Sequence, residues 1–260
     1  MPDRKTALIT GASFGIGLEL ARIFAREGFN LVLVARSADK LRQLAAELEK
    51  AHGARSLILP ADLTHAGSPA YVLDQTTRAN LPVDVLVNNA GFGQYGLFVE
   101  NDLEECLRQI QLNVTTLTHL TRLYLPSMME RKSGRILNVA SVAAFQPGPL
   151  MAVYFATKAY VLHFSEALAN ELKGTGVTVT CLCPGATATE FHKRAKATGQ
   201  RLLKLGSMDA RTVAEDGYRA TMAGNPVVIS GVKNWLVAQS VRFAPRRLAT
   251  VLARKTQERR

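Results

Sequence analysis

The sequence predicts a single doubly wound α/β domain on a mostly parallel sheet of seven strands flanked by helices. Three observations predict it. Short apolar, β-rich runs alternate with helix-period segments along the 260 residues, the pattern of right-handed βαβ units. The strand runs are nearly continuously apolar, as strands covered on both faces should be. A glycine-rich turn, TGASFGIG at 10–17, joins the first strand to the first helix.

In order along the chain, TALIT (6–10) is the first strand, and 17–28 has apolar residues at helical spacing up to Gly28. NLVLVAR (30–36) is the second strand, 39–53 an amphipathic helix ending at Gly53, and SLILP (56–60) the third strand. A polar helix-like stretch runs to about Asn80 and VDVLVNNAG (83–91) follows as the fourth strand. One long helical region covers 102–131. GRILNVAS (134–141) is the fifth strand, 151–174 a long helix ending at Gly174, VTVTCLCPG (177–185) the sixth strand and NPVVISG (225–231) the seventh. No repeat, low-complexity tract or linker divides them. The domain is expected over 1–231, with a substrate loop at 186–208 and a basic amphipathic extension at 232–260.

Composition narrows the class. A hydrophobic content of 47% and a charged content of 20% fit an ordinary globular protein. No apolar run reaches the length of a membrane span, and no secretory leader is legible, so a cytoplasmic location is expected. Cys106, Cys181 and Cys183 have no framework or zinc spacing and read as core thiols. The five histidines are scattered, and no metal site is expected. The net charge of +11 lies largely after Gly231.

The glycine turn is spaced G-x-x-x-G-x-G rather than the more common Rossmann G-x-G-x-x-G. It still follows a strand and opens a helix, so the helix N-terminus can meet a pyrophosphate. Gly11 would allow the tight turn. Gly15 and Gly17 would allow close backbone approach and helix–strand packing, with Ser13, Phe14 and Ile16 lining the widened loop.

Several motifs together resemble the short-chain dehydrogenases/reductases of about 250 residues. TGASFGIG resembles that family's TG-x-x-x-G-I-G loop, NNAG (88–91) its segment after the fourth strand, and Asn113 its helical asparagine. Ser141, Tyr154 and Lys158 match S…Y-x-x-x-K, and Pro184–Gly185 the loop after the sixth strand. The resemblance covers roughly residues 5–231, in the family's order. It implies a Rossmann-type domain, a nicotinamide cofactor and a homodimer or homotetramer formed through long helices.

The chemistry of these residues agrees with that family. Tyr154 and Lys158 are four apart on an expected helix and share a face. A free tyrosine titrates near about 10, and the ammonium of Lys158 is expected to lower that value. Tyr154 would then exchange a proton with a carbonyl or alcohol oxygen, and Ser141 would hold that oxygen. By resemblance, Lys158 also bonds the nicotinamide ribose, and Asn113 holds a water that joins Lys158 to solvent.

Cofactor choice is read at the end of the second strand, where an acid would bond a ribose 2′-hydroxyl and an arginine would accept a 2′-phosphate. LVLVARS has Ala35 where the acid is expected, followed by Arg36, with Lys40 as a second possible contact. NADP(H) is therefore expected over NAD(H), and carbonyl reduction over alcohol oxidation. By resemblance Asp62 and Leu63 meet the adenine, Asn89, Ala90 and Gly91 the ribose and nicotinamide, and Pro184, Gly185, Thr187 and Thr189 the carboxamide and pyrophosphate.

Phe92, Tyr95, Phe145, Leu150 and Phe191 are the expected substrate lining. Being mostly uncharged, they favour an apolar ketone or acyl chain. The segment 190–205 has the composition of a lid whose basic side chains either meet an anionic substrate handle or are simply solvated. The tail 234–260, broken at Pro245, packs on its own fold or a partner subunit, or lies on a membrane surface. Nucleic-acid binding is not expected. Two other functions stay in view: a catalytically silent NADP-binding sensor, and a sugar-nucleotide epimerase or dehydratase, whose G-x-x-G-x-x-G loop is absent.

Overall fold

The computed structural model describes residues 4–189, 191, 195 and 206–258. Apart from Phe191 and Ala195, the stretch 190–205 and its expected lid lie outside the described residues. Among those described, β1 (Thr6–Thr10), β2 (Asn30–Ala35), β3 (Ser56–Pro60), β4 (Val85–Asn88), β5 (Gly134–Val139), β6 (Val177–Cys183) and β7 (Val227–Ile229) form one sheet. The order is β3-β2-β1-β4-β5-β6-β7, and every pairing is parallel.

Alternation along each strand supplies both faces of the sheet. Leu8 lies beside Val32 and Leu86 and points with them toward α3 (Ser68–Arg78), α5 (Leu117–Glu130) and α6 (Ala152–Glu171), meeting Val72, Leu120 and Met128. Ile9, Leu31 and Leu33 point the other way, toward α1 (Gly15–Arg26), α2 (Ala38–His52) and α7 (Ala210–Ala223). The runs are apolar throughout because neither face meets water.

Two elements depart from the sequence expectation. The long helix over 102–131 is α4 (Leu103–Ile110), a π-helical turn (Gln111–Thr116), then α5. α7 was not expected at all. It starts at Asp209, whose carboxylate accepts from the Thr212 N–H at 3.1 Å, and ends at Gly224. Its buried positions are Ala210, Val213, Ala214, Gly217, Ala220 and Thr221, mostly small residues that give a weak apolar stripe. The tail forms α8 (Val232–Ser240) and α9 (Arg246–Gln257), with Pro245 at the N-cap of α9.

All three cysteines are buried free thiols. Cys181 and Cys183 share one face of β6, with Sγ atoms 3.8 Å apart. Among the described residues no helix is long and apolar enough to cross a membrane.

Candidate active site

Strand order reverses between β1 and β4, and ligands of doubly wound sheets bind beyond the C-terminal strand ends at such a switch. A cavity of about 1440 Å³ opens there. That exceeds the usual pocket for one drug-sized ligand, ~300–1,000 Å³, and leaves room for a dinucleotide and a substrate together.

Its floor is the glycine turn. Gly11 has φ +69°, a backbone region that side chains disfavour. A Cβ on Gly17 would lie 2.4 Å from the Gly11 carbonyl oxygen, so α1 can start this close to β1 only without a side chain there. Thr10 ties the turn to the loop after β4: its hydroxyl accepts from the N–H groups of Asn89 and Ala90, each at 3.0 Å, and donates to the Val87 carbonyl at 3.1 Å. The Asn89 amide donates to the Thr10 carbonyl at 2.9 Å. The N-cap of α1, Phe14, makes no side-chain cap, and the first turn carries no acid. The helix therefore presents N–H groups and a positive dipole end to the cavity, as a pyrophosphate requires. Gly11, Ser13, Phe14, Gly15 and Ile16 line this end; Gly17 is packed behind it.

Ser141, Tyr154 and Lys158 converge on the middle of the cavity. The Lys158 ammonium donates to the Val139 carbonyl at 2.7 Å and lies 5.8 Å from the Tyr154 ring centre. Lys158 is 6% exposed, and loss of hydration lowers its pKa to about 8 against the opposing pull of Cys181 and Cys183. Desolvation raises Tyr154 to about 12, and its hydrogen bond with Ser141 only partly offsets this. The lowering expected from Lys158 is not what these surroundings produce: burial dominates the phenol, and the opposing contribution comes from Ser141. Tyr154 is a phenol at neutral pH.

Ser141 also caps the 3₁₀ turn Val142–Phe145, accepting from the Ala143 N–H at 3.1 Å. Asn113 lies on the π turn just behind the cavity wall. Its amide donates to the Phe92 carbonyl at 2.9 Å and to Thr157 Oγ1 at 3.1 Å, and its oxygen accepts from the Phe92 N–H at 3.2 Å. A Cβ on Gly91 would sit 3.1 Å from that oxygen and 3.5 Å from Lys158 Nζ, so Asn113, Gly91 and Lys158 meet at one point. A π turn often marks such a site.

At the far end, Ala35, Arg36, Asp62 and Leu63 line the cavity. Desolvation raises the Asp62 carboxyl, but hydrogen bonds from the Thr64 N–H and hydroxyl, with Arg36 and Arg108 nearby, more than reverse it and hold the group below its ordinary range. Arg108 approaches Asp62 at 3.6 Å. Lys40 covers the Phe14 ring, its ammonium 3.5 Å from the ring centre. Asn89, Ala90, Gly91, Pro184, Gly185, Thr187 and Thr189 complete the wall. Glycine cradle, uncapped helix start and cationic far end together fit a dinucleotide phosphate.

The substrate expectations divide. Phe92 and Phe191 line the cavity, with Met151 and Phe155, which the sequence reading missed. Phe191 lies against Tyr154, ring centres 5.1 Å apart. Tyr95 packs behind them, its hydroxyl donating to the Gln257 carbonyl at 3.0 Å. Phe145 is not among the lining residues: it packs on Leu117, Ala144 and Val161. Leu150 supplies a carbonyl to the Gly96 N–H at 2.8 Å. Among the described residues no cluster of three His, Cys, Asp or Glu could hold a metal.

Fold and cleft define a nucleotide-binding, doubly wound α/β protein. Within that class, residues 5–200 match the short chain dehydrogenase family, and the chain belongs to it. It is 40% identical over 181 residues to the ketoacyl reductase HetN of Nostoc sp., covering 70% of this chain and 63% of that protein. It is 32% identical over 251 residues to the human very-long-chain 3-oxoacyl-CoA reductase, covering 90% and 78%. Among solved structures, a short-chain dehydrogenase from Sphingobium yanoikuyae in complex with NADPH superposes with a TM-score of 0.80 at 35% identity, covering 92% of this chain and 93% of that one. The chain spans 61–63% of the length of the first three curated relatives it matches.

Proposed function

We propose that the chain is an NADPH-dependent reductase that converts an apolar ketone or ketoacyl group to an alcohol. The observation that carries this is the convergence of Ser141, Tyr154 and Lys158 on one cavity wall, with Asn113 bracing them and the glycine turn and Arg36 at the cavity's other end. Bound NADPH would supply a hydride to the carbonyl carbon. The Ser141 hydroxyl orients the carbonyl oxygen, and Tyr154 gives that oxygen its phenolic proton. As a phenol, Tyr154 carries the proton that the donor role needs. The Lys158 ammonium stabilises the phenolate as it forms, and solvent returns the proton.

The coenzyme reading rests on Ala35 and Arg36: no acid at the end of β2 repels a 2′-phosphate. The substrate reading rests on Phe92, Met151, Phe155 and Phe191, and the similarity to a ketoacyl and an oxoacyl-CoA reductase supports it. Exposed Phe98, Val99, Leu103 and Leu107 around α4 support self-association.

NADPH oxidation across ketoacyl thioesters, ketosteroids, long-chain aldehydes and aromatic ketones tests the reading, with Tyr154→Phe in parallel. The variant is expected to lose about 10²- to 10⁴-fold in kcat, the usual size of a general acid's contribution, while NADPH affinity is retained. Equal turnover by the variant would remove Tyr154 from the mechanism. NADPH binding without turnover of any carbonyl would favour the silent sensor.

A further inference from the structure

Helices α8 and α9 leave large apolar side chains in water while their inner sides close one flank of the cavity. Val232, Trp235 and Leu236 recur at i, i+3 and i+4 on α8, and Leu248, Val251 and Leu252 do the same on α9. Each is at least half exposed, and Phe243 in the turn between them is 88% exposed. The inner sides are different. Ala238, Ala249, Ala253 and Gln257 are buried. The Asn234 side chain packs where a Cβ on Gly185 would stand, and Lys233, Asn234, Val237 and Gln257 line the cavity. The two helices are thus a wall of the cleft with an apolar outer surface.

That surface is cationic. Outside the cavity wall it carries Arg242, Arg246, Arg247, Arg254 and Lys255 against one acid, Glu258, which pairs with Arg254 at 3.3 Å; Lys233 lines the cavity. A second copy docked face to face would set one net positive face against another. A nucleic acid would use the cations and leave the apolar side chains in water. An anionic bilayer uses both: its headgroups attract the arginines and lysines, and its acyl boundary takes up the apolar side chains.

We propose that α8 and α9 dock the chain on an anionic lipid surface, with the α8–α9 flank of the cavity turned to the bilayer, so that a lipid-dissolved substrate enters from that side. Docking stands on the helices alone; the entry route rests also on the function proposed above.

Trp235 is the chain's single tryptophan and reports on this surface directly. The full chain is mixed with phosphatidylcholine vesicles, with or without phosphatidylglycerol, and followed by sedimentation and tryptophan emission. Co-sedimentation and a blue shift are expected with the anionic vesicles only. Arg246→Glu with Arg247→Glu is expected to weaken partitioning by about tenfold or more, and so is Phe243→Ser. Raising salt from about 0.1 M to 1 M, which shortens the screening length from about 10 Å to 3 Å, is expected to weaken it too. Tyr154→Phe should bind vesicles as the wild type does, so a failed reductase reading leaves docking standing. Three outcomes would overturn docking: no partitioning, equal partitioning onto neutral vesicles, or a vesicle-independent blue shift that grows with protein concentration, which means a second copy covers the face.

Discussion

At the residue scale, the site sets a buried ammonium against the stability of the fold. The ordinary lysine value of 10.5 falls to about 8 at Lys158, a gap on the order of 3 kcal/mol below both values. The folded chain holds this proton less tightly than the unfolded chain does. Between pH 8 and 10.5, then, the unfolded state binds more protons and this residue's contribution to stability rises with pH. Lys158→Met keeps the bulk and removes the charge. Calorimetry at pH 7 is expected to show its Tm raised by a few degrees, less what the Val139 carbonyl loses with its partner. Turnover should fall sharply, and wild-type turnover should decline as pH rises through about 8. The proposed cofactor choice is likewise testable at one residue. Ala35→Asp puts a negative charge where a 2′-phosphate would lie. The NADPH-to-NADH ratio of kcat/KM should drop by about tenfold or more, since an unfavourable contact of ~1.4 kcal/mol suffices. An unchanged ratio would mean that Arg36 does not read the phosphate.

At the scale of elements, what was legible followed from apolar contrast. The seven strands and α1, α2 and α6 were readable because large apolar side chains alternate with polar ones or run unbroken. α7 buries alanines, a glycine, a threonine and a single valine, and such small residues barely raise the contrast between faces. The π turn was invisible for another reason. Its sequence, QLNVTT, suits a helix, and one extra residue in a turn changes no periodicity that a short window can detect. Yet that turn places Asn113 on both backbone groups of Phe92, so the least legible local feature braces the candidate site. α4 carries a further consequence. Leu103, Leu107 and Ile110 recur at i, i+4 and i+7 and stay exposed, beside an apolar groove formed by Phe98, Ile110, Val114, Ala152, Val153 and Ala156. If a second copy covers this stripe, Leu107→Glu with Ile110→Glu should reduce the mass measured by light scattering to that of one chain. An unchanged oligomer would place the subunit contact elsewhere.

At the scale of the whole molecule, the glycine turn, the β4 exit loop and the Ser–Tyr–Lys set lie far apart in sequence. They meet because parallel strands deliver all their C-terminal ends to one edge of the sheet. Sequence order with strand parity therefore located the cleft. It could not give side-chain direction: Phe145 was expected in the substrate wall from its loop, but on the 3₁₀ turn capped by Ser141 it lies partly buried against the Leu117–Val161 cluster. Because the cofactor's expected contacts come from β1, β2, β4, β6 and α6 together, binding should stabilise the fold as a unit. At a concentration of about 100 times its Kd, a ligand that binds only the folded chain adds ~2.7 kcal/mol. For a chain of this size that amounts to roughly 5–10 °C in Tm, at ~2–4 °C per kcal/mol. NADH, bound about tenfold more weakly at the same concentration, should give little more than half that shift. Differential scanning fluorimetry with each coenzyme checks both statements. Equal shifts would overturn the preference read from Ala35 and Arg36. No shift with either would overturn the reading of the glycine turn as a dinucleotide site.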